Sequence, residues 1–154
     1  MHGISAALQS KYKTPRFPPH VTLLGSIPLD DGESTIVRIQ ETLKDAKPIP
    51  IDTSDVVLLE EYYRDVILKI SSKELQHQHE RLLKAFPKSE TRPFFPHLSL
   101  TYGRRSYDEK KSIKRDVETL ITGKDLSWTA STVLIVSGGQ VKDWKIVGQV
   151  TLKS

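Results

Sequence analysis

Residues 94–102 read Phe-Phe-Pro-His-Leu-Ser-Leu-Thr-Tyr, and residues 17–24 read Phe-Pro-Pro-His-Val-Thr-Leu-Leu. Aligned on the histidine, both run Phe-x-Pro-His-apolar-Ser/Thr-Leu. His20 stands two residues before Thr22, and His97 two residues before Ser99. The apolar and β-branched content of both segments predicts strands, the first over 20–26. Side chains of a strand alternate between its faces. His20 and Thr22 then share one face, as do His97 and Ser99, while Val21, Leu23, Leu98 and Leu100 turn to the other. Two such strands brought together gather two imidazoles and two hydroxyls on one patch.

That set of groups suits phosphate ester chemistry. Breaking a P–O bond requires one proton to leave the attacking group and another to reach the departing oxygen. Two imidazoles titrating near neutrality can do both, each contributing about 10²–10⁴-fold. Hydroxyls can hold the non-bridging phosphate oxygens. A single His-x-Thr on a strand is commonplace and uninformative. Two copies behind a proline, in matching apolar frames, form a specific pattern, and such a motif needs structural context to be accepted.

The paired His-x-Thr and His-x-Ser segments resemble the 2H phosphoesterase superfamily, and in particular its plant and fungal cyclic phosphodiesterase branch. Pro-Arg-Phe-x-Pro-His-Val-Thr at 15–22 and Pro-His-Leu-Ser-Leu-x-Tyr at 96–102 carry the similarity, with Trp144-Lys145-Ile146-Val147-Gly148-Gln149-Val150 near the end. The resemblance implies that His20 and His97 are the acid–base pair and that Thr22 and Ser99 bind the phosphate. It implies an aromatic near the site at Tyr102 and one facing the nucleotide at Tyr63. Strict alternation sets Tyr102 opposite His97, so the strand must bulge or end for Tyr102 to reach the site. Proteins of this branch start with an apolar strand before the first helix. Only Met1-His2-Gly3 precede the helix here, so the sequence predicts that this strand is missing, with sheet groups left unpaired and stability lowered.

The chain has 154 residues, enough for one domain with a real core. With 37% hydrophobic and 27% charged residues, it has the composition of a folded protein and not of a disordered one. No apolar run is long enough to span a membrane, and the start has no signal-peptide pattern. Zero cysteines exclude disulfides, thiolate metal sites and cysteine nucleophiles together. The expectation is an intracellular, cytoplasmic monomer without cofactor or metal. A net charge of +4 favours anionic ligands, and it is too mild to demand nucleic acid. Lys110-Lys111 and Lys114-Arg115 read as a solvated helix face. His77 and His79, two apart on a helix, point nearly opposite ways and make a poor metal clamp. His79 reads as a core-edge residue and His77 as solvated.

Helices are expected over 4–12, over 34–46 with Ser34 as cap, over 73–86 capped by Ser71 or Ser72, and from Tyr107 to Gly123. Asp30-Asp31-Gly32 reads as a turn. Strands are expected at 56–59 and 65–70 with a connection near Tyr62, and as a closing hairpin of 127–137 and 144–152 turning at Gly138-Gly139. Motif strand, helix and two strands thus occur twice. The fold class is α+β: one pseudo-symmetric domain of two lobes, with two antiparallel sheets lining a central cleft and helices outside. Each lobe is expected to give one motif strand to that cleft.

The resemblance implies hydrolysis of ADP-ribose 1″,2″-cyclic phosphate to ADP-ribose 1″-phosphate and of nucleoside 2′,3′-cyclic phosphates to 2′-phosphates. The expected partner is a small cyclic nucleotide, with RNA ends as the alternative and a setting such as tRNA splicing. A 2′–5′ RNA ligase-like or RNA exonuclease-like activity is the neighbouring reading. A nucleotide- or RNA-binding module without turnover is the reading from another class.

Overall fold

A computed structural model describes residues 1–28, 32–90 and 92–154. It contains helices α1 (His2–Lys11), α2 (Gly32–Leu43), α3 (Lys73–Ala85) and α4 (Tyr107–Ile121). Its strands are β1 (Ile49–Glu61), β2 (Arg64–Ser71), β3 (His97–Thr101), β4 (Trp128–Ala130), β5 (Thr132–Ser137) and β6 (Lys145–Thr151). They form two antiparallel sheets, ordered β3-β2-β1-β4 and β5-β6, so the α+β class is as the sequence indicates. No helix among the described residues is long and apolar enough to cross a membrane.

The chain divides into two compact units, each assembled from three separate segments. The first holds Met1–Thr22, Asp52–Ser71 and Phe95–Ser127, and therefore both histidine motifs. The two repeats expected from the element order are thus not the two units. Antiparallel pairing of β2 with β3 draws the second motif to sequence-distant strands, beside the first. In this unit α1 packs on β3 and α4, and α4 packs on β2. Val66, Ile67, Leu68, Leu98, Leu100, Ile113 and Val117 are buried there. Val66, Ile67 and Leu68 run consecutively because β2 is covered on both faces.

The second unit holds Leu23–Ile51, Ser72–Phe94 and Trp128–Ser154. Its helices α2 and α3 pack together, and α2 also meets β6. Ile39, Leu43, Ile49, Ile51, Leu75 and Leu82 are buried. Ser72 caps α3 by accepting a hydrogen bond from the Leu75 amide at 3.1 Å. His79 is 7% exposed, bonded through Nδ1 to the Leu23 carbonyl at 2.7 Å and stacked on Phe94 at 3.8 Å. It is the satisfied core-edge residue expected, and His77 is exposed.

Several local expectations are corrected. Residues 20–26 form no strand, only a bridge of Val21 with Leu98. Pro18 and Pro19 carry no amide hydrogen for a ladder, and Ser26 turns the chain at a φ of 54°. The expected strand 127–137 is split at Ser131, with β4 pairing to β1 and β5 to β6. Helix α2 starts at Gly32, which places Ser34 inside its first turn. The expected turn at Asp30-Asp31 lies outside the described residues. On α4, Ile113 and Val117 are buried, whereas Leu120 is 36% exposed.

Lysine 110 departs furthest from expectation, at 2% exposed. Its Nζ donates to the Leu59 carbonyl at 2.6 Å and stands 3.6 Å from Oδ1 of Asp65. Asp65, fully buried, accepts at Oδ2 from Arg105 at 2.5 Å and Thr101 at 3.1 Å. A buried carboxylate attracts the nearby cations out of water, which helical periodicity does not reveal.

Candidate active site

The Val21–Leu98 bridge decides how the motifs meet. In an antiparallel pair this register sets His20 opposite Ser99 and Thr22 opposite His97. Alternation turns all four residues to the face away from Val21 and Leu98. Side chains directly opposite have Cβ atoms about 4.5–5.5 Å apart. The sequence-expected set is therefore brought together, within the first unit. His20 and His97 are half-buried, Thr22 is exposed, and Ser99 is 4% exposed.

Both imidazoles are fixed by the same local device. Nδ1 of His20 lies 2.8 Å from the Pro18 carbonyl, and Nδ1 of His97 lies 2.8 Å from the Phe95 carbonyl. A carbonyl only accepts, so each Nδ1 carries the hydrogen and donates it. In each neutral ring Nε2 is then the basic nitrogen. The bond runs two residues back in both motifs, from histidine to an extended Phe/Pro segment. This is the physical content of the shared frame around the two histidines.

The two rings differ electrostatically. Partial burial pushes the His97 pKa below its ordinary 6.5, helped by the charges of Arg64 and His20. Its bond to Phe95 and the Glu61 carboxylate oppose that shift. Sequence reading missed Glu61 and Arg64, which close the β1–β2 hairpin as a register pair. Arg64 donates from Nη2 and Nε to the Glu61 carboxylate at 2.5–3.0 Å. The signal available was their spacing across Tyr62-Tyr63, a two-residue turn that holds opposite charges side by side.

The tyrosines form a chain of rings that reaches His20. Strand β3 bulges between its pairings Ile67–Ser99 and Val66–Thr101, and it ends at Thr101. Bulges re-aim side chains. Tyr102 stacks on Phe17 at 3.8 Å, and Phe17 meets His20 edge-on at 6.2 Å. Tyr102 is 3% exposed, and burial pushes its phenol up to about 12, so it remains neutral. Tyr63 lies edge-on to Tyr102 at 5.3 Å and is 49% exposed. Ser99 donates its hydroxyl hydrogen to the Tyr63 carbonyl at 2.8 Å.

Paired His-x-Ser/Thr segments on an α+β scaffold define a phosphoester-acting protein of the two-histidine class. Residues 4–140 match the profile of the 2'-5' RNA ligase superfamily, and the chain belongs to that family. Among solved structures it is similar to TT0787 of Thermus thermophilus, at 14% identity and a TM-score of 0.63. That likeness covers 99% of this chain and 93% of TT0787, and it concerns the fold. None of the curated proteins matches the chain in sequence.

Proposed function

We propose that the protein opens cyclic phosphates by hydrolysis, with ADP-ribose 1″,2″-cyclic phosphate and nucleoside 2′,3′-cyclic phosphates as substrates. The observation that carries this reading is the pair of imidazoles, each tethered through Nδ1, on one face with the exposed Thr22 hydroxyl. His97, whose burial favours the neutral ring, takes the proton of the attacking water. His20 donates a proton to the departing oxygen, and Thr22 steadies a non-bridging phosphate oxygen. In a nucleoside 2′,3′-cyclic phosphate, water adds to phosphorus and the P–O3′ bond breaks, leaving the 2′-phosphate. In ADP-ribose 1″,2″-cyclic phosphate the P–O2″ bond breaks, leaving the 1″-phosphate. Tyr63 faces the base, and Tyr102 backs it from beneath. The two imidazoles cover both proton transfers, so the scheme calls on no metal.

Membership of the 2'-5' RNA ligase superfamily favours one second reading. A 5′-hydroxyl of RNA replacing water as attacker, with the same P–O3′ bond broken, gives a 2′–5′ linkage.

Turnover of both cyclic compounds is measured with EDTA present, alongside His20→Ala and His97→Ala. Each variant is expected to lose about 10²–10⁴-fold. Product chromatography identifies the broken bond, and a 5′-hydroxyl oligonucleotide in the same assay reports ligation. A folded protein that turns over neither compound sinks the hydrolase reading, and nucleotide binding without turnover supports a binding module instead.

A further inference from the structure

Strand register in the first unit lays out the histidine face as a small grid. Leu98 of β3 bridges Val21 on one side and pairs with Leu68 of β2 on the other. On the opposite face, one row across the three segments therefore reads Thr22, His97, Lys69, and the next reads His20, Ser99, Ile67. Neighbours within a row have Cβ atoms about 4.5–5.5 Å apart. Lys69 thus stands beside His97, on the side away from Thr22.

Lys69 is exposed, while Val66, Ile67, Leu68 and Ile70 around it are buried. Strand β1 bulges between Thr53 and Val56, so Ser54 and Asp55 pass opposite Lys69. Neither Asp55 nor any other carboxylate among the described residues pairs with its ammonium. The other cation of β2, Arg64, is tied to Glu61. Lys69 therefore keeps three donors and a full charge on a flexible four-carbon stem next to the imidazole.

Its place along β2 selects the part of a nucleotide that it meets. Tyr63 precedes the strand, and Lys69 lies near the strand's far end. In a nucleoside 2′,3′-cyclic phosphate, the base on C1′ and the carbon C5′ flank the C2′–C3′ edge from opposite sides. With the phosphate between the imidazoles and the base towards Tyr63, C5′ points to Lys69.

We propose that Lys69 is a specificity residue that binds a phosphate on C5′ of the substrate, so that the site favours a 2′,3′-cyclic phosphate whose ribose carries this second phosphate. The proposal rests on the cyclic-nucleotide reading above and deepens it. A 5′-phosphorylated mononucleotide and the last residue of an RNA chain present the same anionic oxygens at this position.

The test compares adenosine 2′,3′-cyclic phosphate with its 5′-phosphorylated form and with a diadenylate ending in a 2′,3′-cyclic phosphate. The parent protein is expected to favour the 5′-phosphorylated compound about tenfold in kcat/KM, through KM, the size of one hydrogen bond between charged groups. Lys69→Met, which keeps an apolar stem and loses the charge, brings that preference to about one, and Lys69→Arg retains it. For the 5′-phosphorylated compound, the slope of log KM against log salt falls by about 1 in Lys69→Met. A KM rise for the mononucleotide alone assigns the position to a phosphomonoester, and a rise for the dinucleotide as well extends it to RNA ends. A parent without the preference, or a Lys69→Met variant that keeps it, overturns the proposal and leaves the hydrolase reading standing. Should the parent turn over none of the three, the hydrolase reading falls, and calorimetry with adenosine 2′-phosphate and adenosine 2′,5′-bisphosphate judges Lys69 separately. Tighter binding of the bisphosphate that Lys69→Met abolishes supports the phosphate contact, and equal binding of the two refutes it.

Discussion

At the scale of single residues, His97 and His20 share one tether and differ in environment. Burial lowers the proton affinity of His97, and the Arg64 charge lowers it further. With His97 as the proposed base, a pKa held below 6.5 keeps the ring neutral into mildly acid solution, and the acid limb of kcat/KM is expected below the ordinary histidine range. Arg64→Gln removes a cation whose charge lowers the His97 pKa. The His97 pKa rises, and the acid limb moves to higher pH. NMR titration of His97 alongside the pH–rate profile checks this, and a limb that does not move rejects His97 as the base. The same shift couples to folding with a definite sign. The contribution is complete above 6.5 and is lost as pH falls through the lowered native value.

The motif histidines and their faces were legible in the sequence because a repeated frame and strand alternation are local properties. The Ser99 commitment to Tyr63 was not, since the partner is 36 residues away and appears only when β2 and β3 pair.

At the scale of elements, a buried charge cluster joins β2, the end of β3 and α4. Asp65 of β2 binds Thr101 of β3 and Arg105 just before α4, and Lys110 of α4 stands close by. Arg105 also donates to the Tyr102 carbonyl at 3.1 Å, so the cluster fixes the loop that follows the second motif. Asp65→Asn leaves the poorly hydrated Arg105 without its counter-charge, while Lys110 keeps the Glu60 carboxylate at 3.3 Å. The expected loss is about 3–5 kcal/mol of stability, the cost of breaking a buried pair from one side. Urea unfolding measures it, and a loss under about 1 kcal/mol would mean that Arg105 relaxes to water. Periodicity located α4 correctly and misjudged Lys110, because it records where a residue lies on a helix and not what a neighbouring strand offers it. The bulge in β3 was posed by the sequence as a condition on Tyr102 and met by the pairing with β2.

At the scale of the whole molecule, a net charge of +4 sets a weak general attraction for anions. A mononucleotide makes few phosphate contacts, so log KM is expected to rise with log salt at a slope of about 1–2. An RNA ligand held along several phosphates gives a markedly steeper slope, and finding one would shift the reading towards RNA ends. Steady-state kinetics across a range of potassium chloride concentrations distinguishes the two.

The sequence by itself determined the α+β class, helices α1 to α4, the two histidine motifs and the side chains that accompany each. All of these follow from periodicity, caps and a repeated local frame, which are written within about a dozen residues. Only the tertiary structure decided that both motifs lie in one compact unit, that 20–26 contributes a bridge and not a strand, and that Ser99, Asp65 and Lys110 take the partners they do. Those outcomes depend on which distant segments pair and on where buried polar groups find donors, and neither is encoded in any short stretch of chain.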